Sequence, residues 1–218
     1  MSECPHSPRD HALRLAGTIT RGEFSVAVDF SVAPGEVVAL SGPNGVGKTT
    51  VLRFLAGLGG ILGPSGAFTL GGADMIHLPP EHRRLAFVFQ EPRLVPHMTA
   101  VENVSFAATL SGIPRADARR RAASLLDELG LPEAKHSLRP AKLSGGQRGR
   151  VAIARALAAE SPRLRLLDEP LAAIDAPSRP LLREVLARHL AASDAPTILV
   201  THDRSDVEAL ASRDIPLG

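Results

Sequence analysis

The clearest chemistry in this 218-residue chain lies in Gly42-Pro43-Asn44-Gly45-Val46-Gly47-Lys48-Thr49, which fits the pattern G-x-x-x-x-G-K-[ST]. Glycines in such a loop let successive backbone N–H groups turn inward around phosphate oxygens. A helix starting at the end of the loop adds positive potential. Lys48 can then reach the β and γ phosphates of a nucleotide, and Thr49 can ligate Mg²⁺. Lysine is scarce here: Lys48, Lys135 and Lys142 are the only three, and arginine supplies the other cations. A lysine kept in the loop fits the need for a compact point charge rather than a planar fork. A second signal is the run Leu164-Arg165-Leu166-Leu167-Asp168-Glu169, a strand ending in two carboxylates. Ligands of open α/β sheets sit beyond the C-terminal ends of strands, which places Asp168 to hold Mg²⁺ and Glu169 to polarise a water beside the γ-phosphate. Taken alone, the pair would serve equally as a helix N-cap. The third signal is Leu143-Ser144-Gly145-Gly146-Gln147, immediately before a helical pattern. A serine and two glycines at a helix start make a second anion site, or a plain cap. Two phosphate sites on opposite sides of the same helices make sense if two copies of the chain face each other.

The elements that must position these residues follow from periodicity. Phe24, Val26, Val28, Phe30 and Val32 alternate with polar or small residues, a half-buried strand of an antiparallel sheet. Val37 to Ser41, Leu85 to Phe89, Leu164 to Asp168 and Ile198 to Thr201 are short apolar runs expected to be buried strands, with Ala67 to Leu70 a further short strand. Helices are expected over Thr49 to Leu58, Gly146 to Ala159 and Pro180 to Ala192. Ala118, Ala122, Leu125, Leu126 and Leu129 mark another, stopped by Gly130 and Pro132 with Arg119, Arg120 and Arg121 on its exposed side. Strands alternating with helices imply a parallel sheet covered on both faces. The mostly helical stretch from about Glu91 to Leu143 interrupts that alternation as an inserted subdomain.

Composition narrows the classes. Apolar residues are 44% and charged residues 22%, and 25 basic residues against 23 acidic give a net charge of +2. That balance points neither to nucleic acid nor to acidic lipid. With no Trp or Tyr and seven Phe, base stacking has few platforms. Cys4 is the one cysteine, so a disulfide framework and a Cys-rich zinc site are excluded and a reducing compartment is expected. Met1 to His11 is polar, with no signal-peptide core; Cys4, His6 and His11 within it are read as a loose tail rather than a metal site. Phe54 to Ala73 is uncharged for 20 residues but holds seven glycines and a proline, so it is read as helix end, loop and strand rather than a membrane span.

Over roughly Leu13 to Arg213 the chain resembles the nucleotide-binding ATPase subunits of ABC transporters. In order, the matched motifs are Walker A at Gly42–Thr49 with Thr50 following, Gln90 as the Q-loop, LSGGQ at Leu143–Gln147, Walker B at Leu164–Glu169, Asp175 as the D-loop and His202 as the H-loop. The resemblance implies an α/β fold: a P-loop NTPase (RecA-like) core with a parallel sheet, an N-terminal antiparallel β subdomain, and an inserted α-helical subdomain at about 91–147. It implies a single domain over 13–218 behind a flexible tail, 1–12. ATP and Mg²⁺ are the expected ligands. Gln90, otherwise an ordinary strand-end residue, would touch Mg²⁺ and the attacking water and sense a membrane partner. His202 would hydrogen-bond the γ-phosphate. Two such domains sandwich two ATP molecules, so Ser144 and Gly146, with Gly145, Gln147 and Asp175, would act on the partner copy's nucleotide. The segments Leu78–Arg84 and Val88–Val104 are similar to bacterial importers, most of all molybdate importers, then sulfate and sugar importers.

The expectation is therefore an ATP-hydrolysing subunit on the cytoplasmic face of the cell membrane, driving import of an oxyanion such as molybdate. Its partners would be transmembrane permease subunits, a second copy of itself and a substrate-binding protein, with no nucleic acid. The alternatives are an exporter ATPase, a soluble ABC ATPase of DNA repair or translation, and an inactive regulatory paralogue. Four departures stand out. Arg165 occupies a strand position that wants an apolar residue. No Tyr is present to stack on adenine, and Phe24 is a poor substitute. Gly149 follows the signature where a better helix former is common. The chain stops at Gly218, where relatives continue, which is expected to remove one route of regulation.

Overall fold

The computed structural model describes residues 13–218; the Cys4, His6 and His11 reading and the 1–12 tail lie outside them. The first sheet is antiparallel. It contains β1 (Leu13–Arg21), β2 (Phe24–Val32), β4 (Ile61–Leu62), β5 (Ala67–Leu70) and β6 (Ala73–Asp74), in the order β2-β1-β5-β6 with β4 beside β1. The alternation in β2 is realised: Val26, Val28, Phe30 and Val32 are buried and their neighbours are not. β1 had no reading as a strand, although Leu13, Leu15 and Ile19 face the same core.

The second sheet holds β3 (Val37–Ser41), β7 (Leu85–Val88), β8 (Leu164–Asp168), β9 (Thr197–Val200) and β10 (Arg213–Pro216). Its order is β10-β3-β9-β8-β7 and all pairings are parallel. Successive side chains of a strand point to opposite faces, and this divides the interior in two. Val38, Leu40, Leu164, Leu166, Ile198 and Val200 pack with α1 (Lys48–Leu55) and the antiparallel sheet. Val37, Ala86, Val88, Leu167 and Leu199 pack on the other side. They meet α2 (Ala100–Leu110), α3 (Arg115–Glu128), α4 (Gly145–Ala158) and α5 (Arg179–Ala191). α6 (Arg204–Leu210) completes the chain before β10. Helix ends fall within three residues of their expected positions; Gly57 and the glycines after it stop α1 early.

Three buried polar side chains tie the layers together, and none announces itself in the sequence. Arg83, 4% exposed, donates to the Phe54 and Leu55 carbonyls at the end of α1 (2.9 and 2.7 Å) and to Leu78 O (2.7 Å), with its guanidinium over the Phe68 ring. It supplies the C-terminal partners that a helix cannot provide for itself. Asn103 accepts from Val95 N and donates to the Val95, Met98 and Thr99 carbonyls, fixing the segment that leads into α2. Asp206 takes a two-pronged contact from Arg183 (2.8 and 2.6 Å).

Arg165 sits at the second position of β8, next to Ala86 and Thr197, and is 6% exposed. It lies near the N-terminal end of the strand. Its partner is the Ser193 hydroxyl rather than a carboxylate or a carbonyl.

Replacing Arg83 by methionine, which keeps the length and removes the donors, takes the guanidinium partner from the Leu55 and Leu78 carbonyls, while Phe54 O keeps the Gly57 N–H. We expect a loss of about 2–4 kcal/mol. Urea denaturation of Arg83→Met checks it; an unchanged midpoint and slope would contradict the capping role.

Candidate functional site

Four loops that leave the C-terminal ends of four parallel strands converge on one cavity. The loop after β3 supplies Asn44, Gly45, Gly47, Lys48, Thr49 and Thr50; Gln90 follows β7; Asp168 and Glu169 close β8; His202 follows β9. The cavity measures about 270 Å³. Gly42 and Pro43 contribute backbone: Lys48 Nζ donates to their carbonyls at 2.7 and 3.0 Å. Val46 packs against the core beneath the loop. Gly47 has φ 108° and caps α1; a Cβ there would lie 2.8 Å from the Phe24 ring. Both the left-handed backbone and the close ring require glycine.

Phe24 is the aromatic residue that the fold brings to this cavity. It stands at the start of β2, lines the cavity and presses on the loop at Gly47. As the one aromatic ring on this wall, 37% exposed, it is placed to stack on a base. Position 24 is far from the loop in sequence, and strand β2 carries it there.

Thr49 Oγ1 donates to Asp168 Oδ1 at 3.3 Å, and Gln90 lines both this cavity and an adjoining one of about 300 Å³ reached by Arg53 and Arg93. Thr49, Asp168 and Gln90 thus form an oxygen-rich donor set, of the kind that suits Mg²⁺. Burial raises the Asp168 pKa, opposed by the Thr49 hydrogen bond and by the charges of Arg53 and Lys48. Arg53 was not among the sequence candidates; its position in the last turn of α1 gave no signal.

Glu169 is the most unusual residue of the site. Its φ is 50°, one of three positive values among the described non-glycine residues. Its N–H donates to Val200 O at 2.8 Å, which ties the strained turn to β9. Oε1 is buried without a hydrogen-bond partner, and His202 Nε2 lies 3.3 Å away, near enough for charge attraction but not aligned as a donor. Burial raises the Glu169 pKa; His202 opposes the shift, while Asp168 and Asp206 add to it. A buried carboxylate with one unpartnered oxygen accepts a proton readily, as a general base must. The His202 loop is itself anchored: Thr201 Oγ1 donates to Asp206 Oδ2 at 3.3 Å, and Asp203 caps α6.

Ser144, Gly145, Gly146 and Gln147 do not line this cavity. Ser144 and Gln147 form a reciprocal capping box at the start of α4. Asp175 lies near that helix instead, accepting from Ser178 and facing Arg150 of α4 at 3.4 Å. The loop between Glu169 and Asp175 passes close to α4: a Cβ at Gly149 would meet Ile174 at 3.2 Å and Ala173 at 3.7 Å. Gly149 thus lets the loop lie close against the helix, since a larger residue there would press on the Ile174 side chain. The two groups of site residues stand apart within one chain, joined by this loop.

A raised folded-state pKa means that Glu169 favours the folded protein in acid, and that this contribution is lost as pH rises through the folded value. Glu169→Gln should therefore melt above wild type at neutral pH, and the gain should vanish on the acid side of the ordinary glutamate range. Thermal melts across pH check this; a variant equal to or below wild type at neutral pH would contradict the assigned environment.

Comparison with known proteins agrees with this geometry. The ABC transporter family model matches residues 26–172. The Fe(3+) ions import ATP-binding protein FbpC of Rhizobium etli is 42% identical over 196 residues, 89% of this chain and 54% of that protein. The Brucella abortus protein of the same name is 44% identical over 88% of this chain and 54% of its own length. The sulfate/thiosulfate import ATP-binding protein CysA of Mycobacterium bovis is 41% identical over 85% and 52%. The chain thus spans about half the length of these relatives. Among solved structures, a dimeric ATP-binding cassette in a post-hydrolysis state bound to ADP and Pi is 30% identical, with a TM-score of 0.81 over 94% of each chain. A dimeric bacterial ABC transporter cassette gives a TM-score of 0.82 at 28% identity, again over 94% of each. The chain belongs to the ABC transporter family, as an ATP-binding domain.

Proposed function

We propose that this chain hydrolyses ATP to drive import of an inorganic ion through transmembrane permease subunits, acting as a pair of copies on the inner face of the cell membrane. The observation that carries the reading is the convergence of Lys48, Thr49, Gln90, Asp168, Glu169 and His202 on one cavity from four parallel strands. Lys48 exchanges its carbonyl partners for phosphate oxygens, the stronger acceptors. Backbone N–H groups of the loop and the start of α1 hold the same oxygens. Thr49, Asp168 and Gln90 would hold Mg²⁺, which when bound supplies positive charge against the transferring phosphoryl group. Glu169 accepts the proton of the attacking water, and His202 steadies the charge beside it. Phe24 stacks on the adenine.

Ser144–Gln147 and Asp175 stand outside this cavity, so a complete site draws them from a second copy; the solved relatives are dimers. No helix among the described residues is long and apolar enough to cross a membrane, in keeping with separate permease subunits. The relatives named for Fe(3+) and for sulfate/thiosulfate support an inorganic cargo, with an oxyanion such as molybdate, presented by a substrate-binding protein, as the specific reading.

Glu169→Gln should slow hydrolysis by roughly 10²- to 10⁴-fold while retaining nucleotide. With ATP and Mg²⁺ the same variant should accumulate as a dimer, read by light scattering. Lys48→Ala should lose both nucleotide affinity and turnover. Wild-type turnover in either variant would overturn the assignment.

A further inference from the structure

Local departures from good geometry are few here, and they fall in two places. The described residues contain two buried side-chain polar atoms without a hydrogen-bond partner, Glu169 Oε1 and Arg165 Nε. Three non-glycine residues have positive φ: Glu169, Arg84 and Ser161. Glu169 belongs to the nucleotide site. Arg165, Arg84 and Ser161 line a single cavity of about 530 Å³ at the opposite, N-terminal ends of β7, β8 and β9. Strained and unsatisfied groups persist where the surroundings hold them for use.

We propose that this cavity is a second anion site, for a small molecule carrying two or more phosphate groups. Arg84, Arg121, Arg163 and Arg165 line it, against the carboxylates of Glu160 and Asp194. None of the four guanidinium groups is in an ion pair among the described residues. Their protein contacts are neutral oxygens: Arg121 to Leu157 O, Arg163 to Leu70 O, and Arg165 to the Ser193 hydroxyl. Burial, with the adjacent Arg121 charge, lowers the Arg165 pKa, so the two cations feel each other across the cavity wall. A buried cation with a hydroxyl as its polar partner costs stability unless an anion joins it. Guanidinium forks bind phosphate oxygens in pairs. The volume suits a small molecule rather than a single oxyanion. The site shares no residue with the nucleotide cavity, and it does not rest on the transport reading.

The test uses pyrophosphate, titrated calorimetrically without nucleotide into the full chain carrying Lys48→Ala, which disables the phosphate loop. One binding event should remain. Adding Arg84→Ser and Arg121→Ser, both at exposed positions, should weaken it by about tenfold or more. Citrate should bind at least about tenfold more weakly than pyrophosphate, since pyrophosphate gathers its charge and terminal oxygens on two adjacent phosphorus centres, whereas citrate spreads its charge over three carboxylates on a carbon skeleton. Arg165→Leu in the same background should melt higher without ligand and lose the stabilisation by pyrophosphate. Absence of binding to the Lys48→Ala chain would overturn the proposal. So would binding unchanged by the arginine substitutions, citrate binding equal to pyrophosphate, or a lower melting temperature for Arg165→Leu.

Discussion

Parallel pairing of β3, β9, β8 and β7 is the constraint on which everything else depends. Parallel strands put their C-terminal ends along one edge, so the loops that follow them must meet there. No single loop could carry a lysine, a hydroxyl, two carboxylates, an amide and an imidazole to one point. Four loops on a shared edge do so without long excursions. The antiparallel sheet adds the remaining wall, because β2 brings Phe24 over the loop at Gly47. Its packing against α1, locked by Arg83, holds the start of that helix beneath the phosphate site.

The energetic character of the site follows from burial. Glu169 sits in a left-handed backbone conformation with an unpartnered oxygen, a costly arrangement that the bond to Val200 and the anchored His202 loop maintain. Such a carboxylate is ready to take a proton and costs stability at neutral pH. Function here is drawn from the packing of β8 and β9 on both faces, which tolerates a strained turn at the strand end.

The phosphate loop, the carboxylate pair and the capping serine were legible because each is contiguous in sequence and flanked by a clear period. The buried parallel strands were legible for the same reason. β1 was not: Gly17 and Thr18 interrupt its alternation, and pairing with β2 and β5 defines it as a strand. β10, with Arg213, Asp214 and Pro216 in four residues, is a strand only because β3 offers it an edge. Arg83 and Asp206 carry no signal in the sequence, since what buries them is the arrival of distant backbone or a distant arginine. The position of Phe24 beside the loop depends on proximity across the sheet, which local pattern does not reveal. The closeness of the loop from Glu169 to Asp175 at Gly149 is likewise a matter of tertiary packing that local helix preference does not show.

The central claim is that each complete site is shared, with the Lys48 side from one copy and the Ser144 side from the other. Mixing two inactive variants tests it most directly. One carries Lys48→Ala; the other carries Ser144→Asp, which keeps a good helix cap but sets a negative charge against phosphate. In a mixed pair, the intact loop of the second variant faces the intact signature of the first. The account predicts that the mixture hydrolyses ATP while each variant alone does not. A mixture as inactive as its components would contradict it, as would Ser144→Asp hydrolysing ATP alone at the wild-type rate.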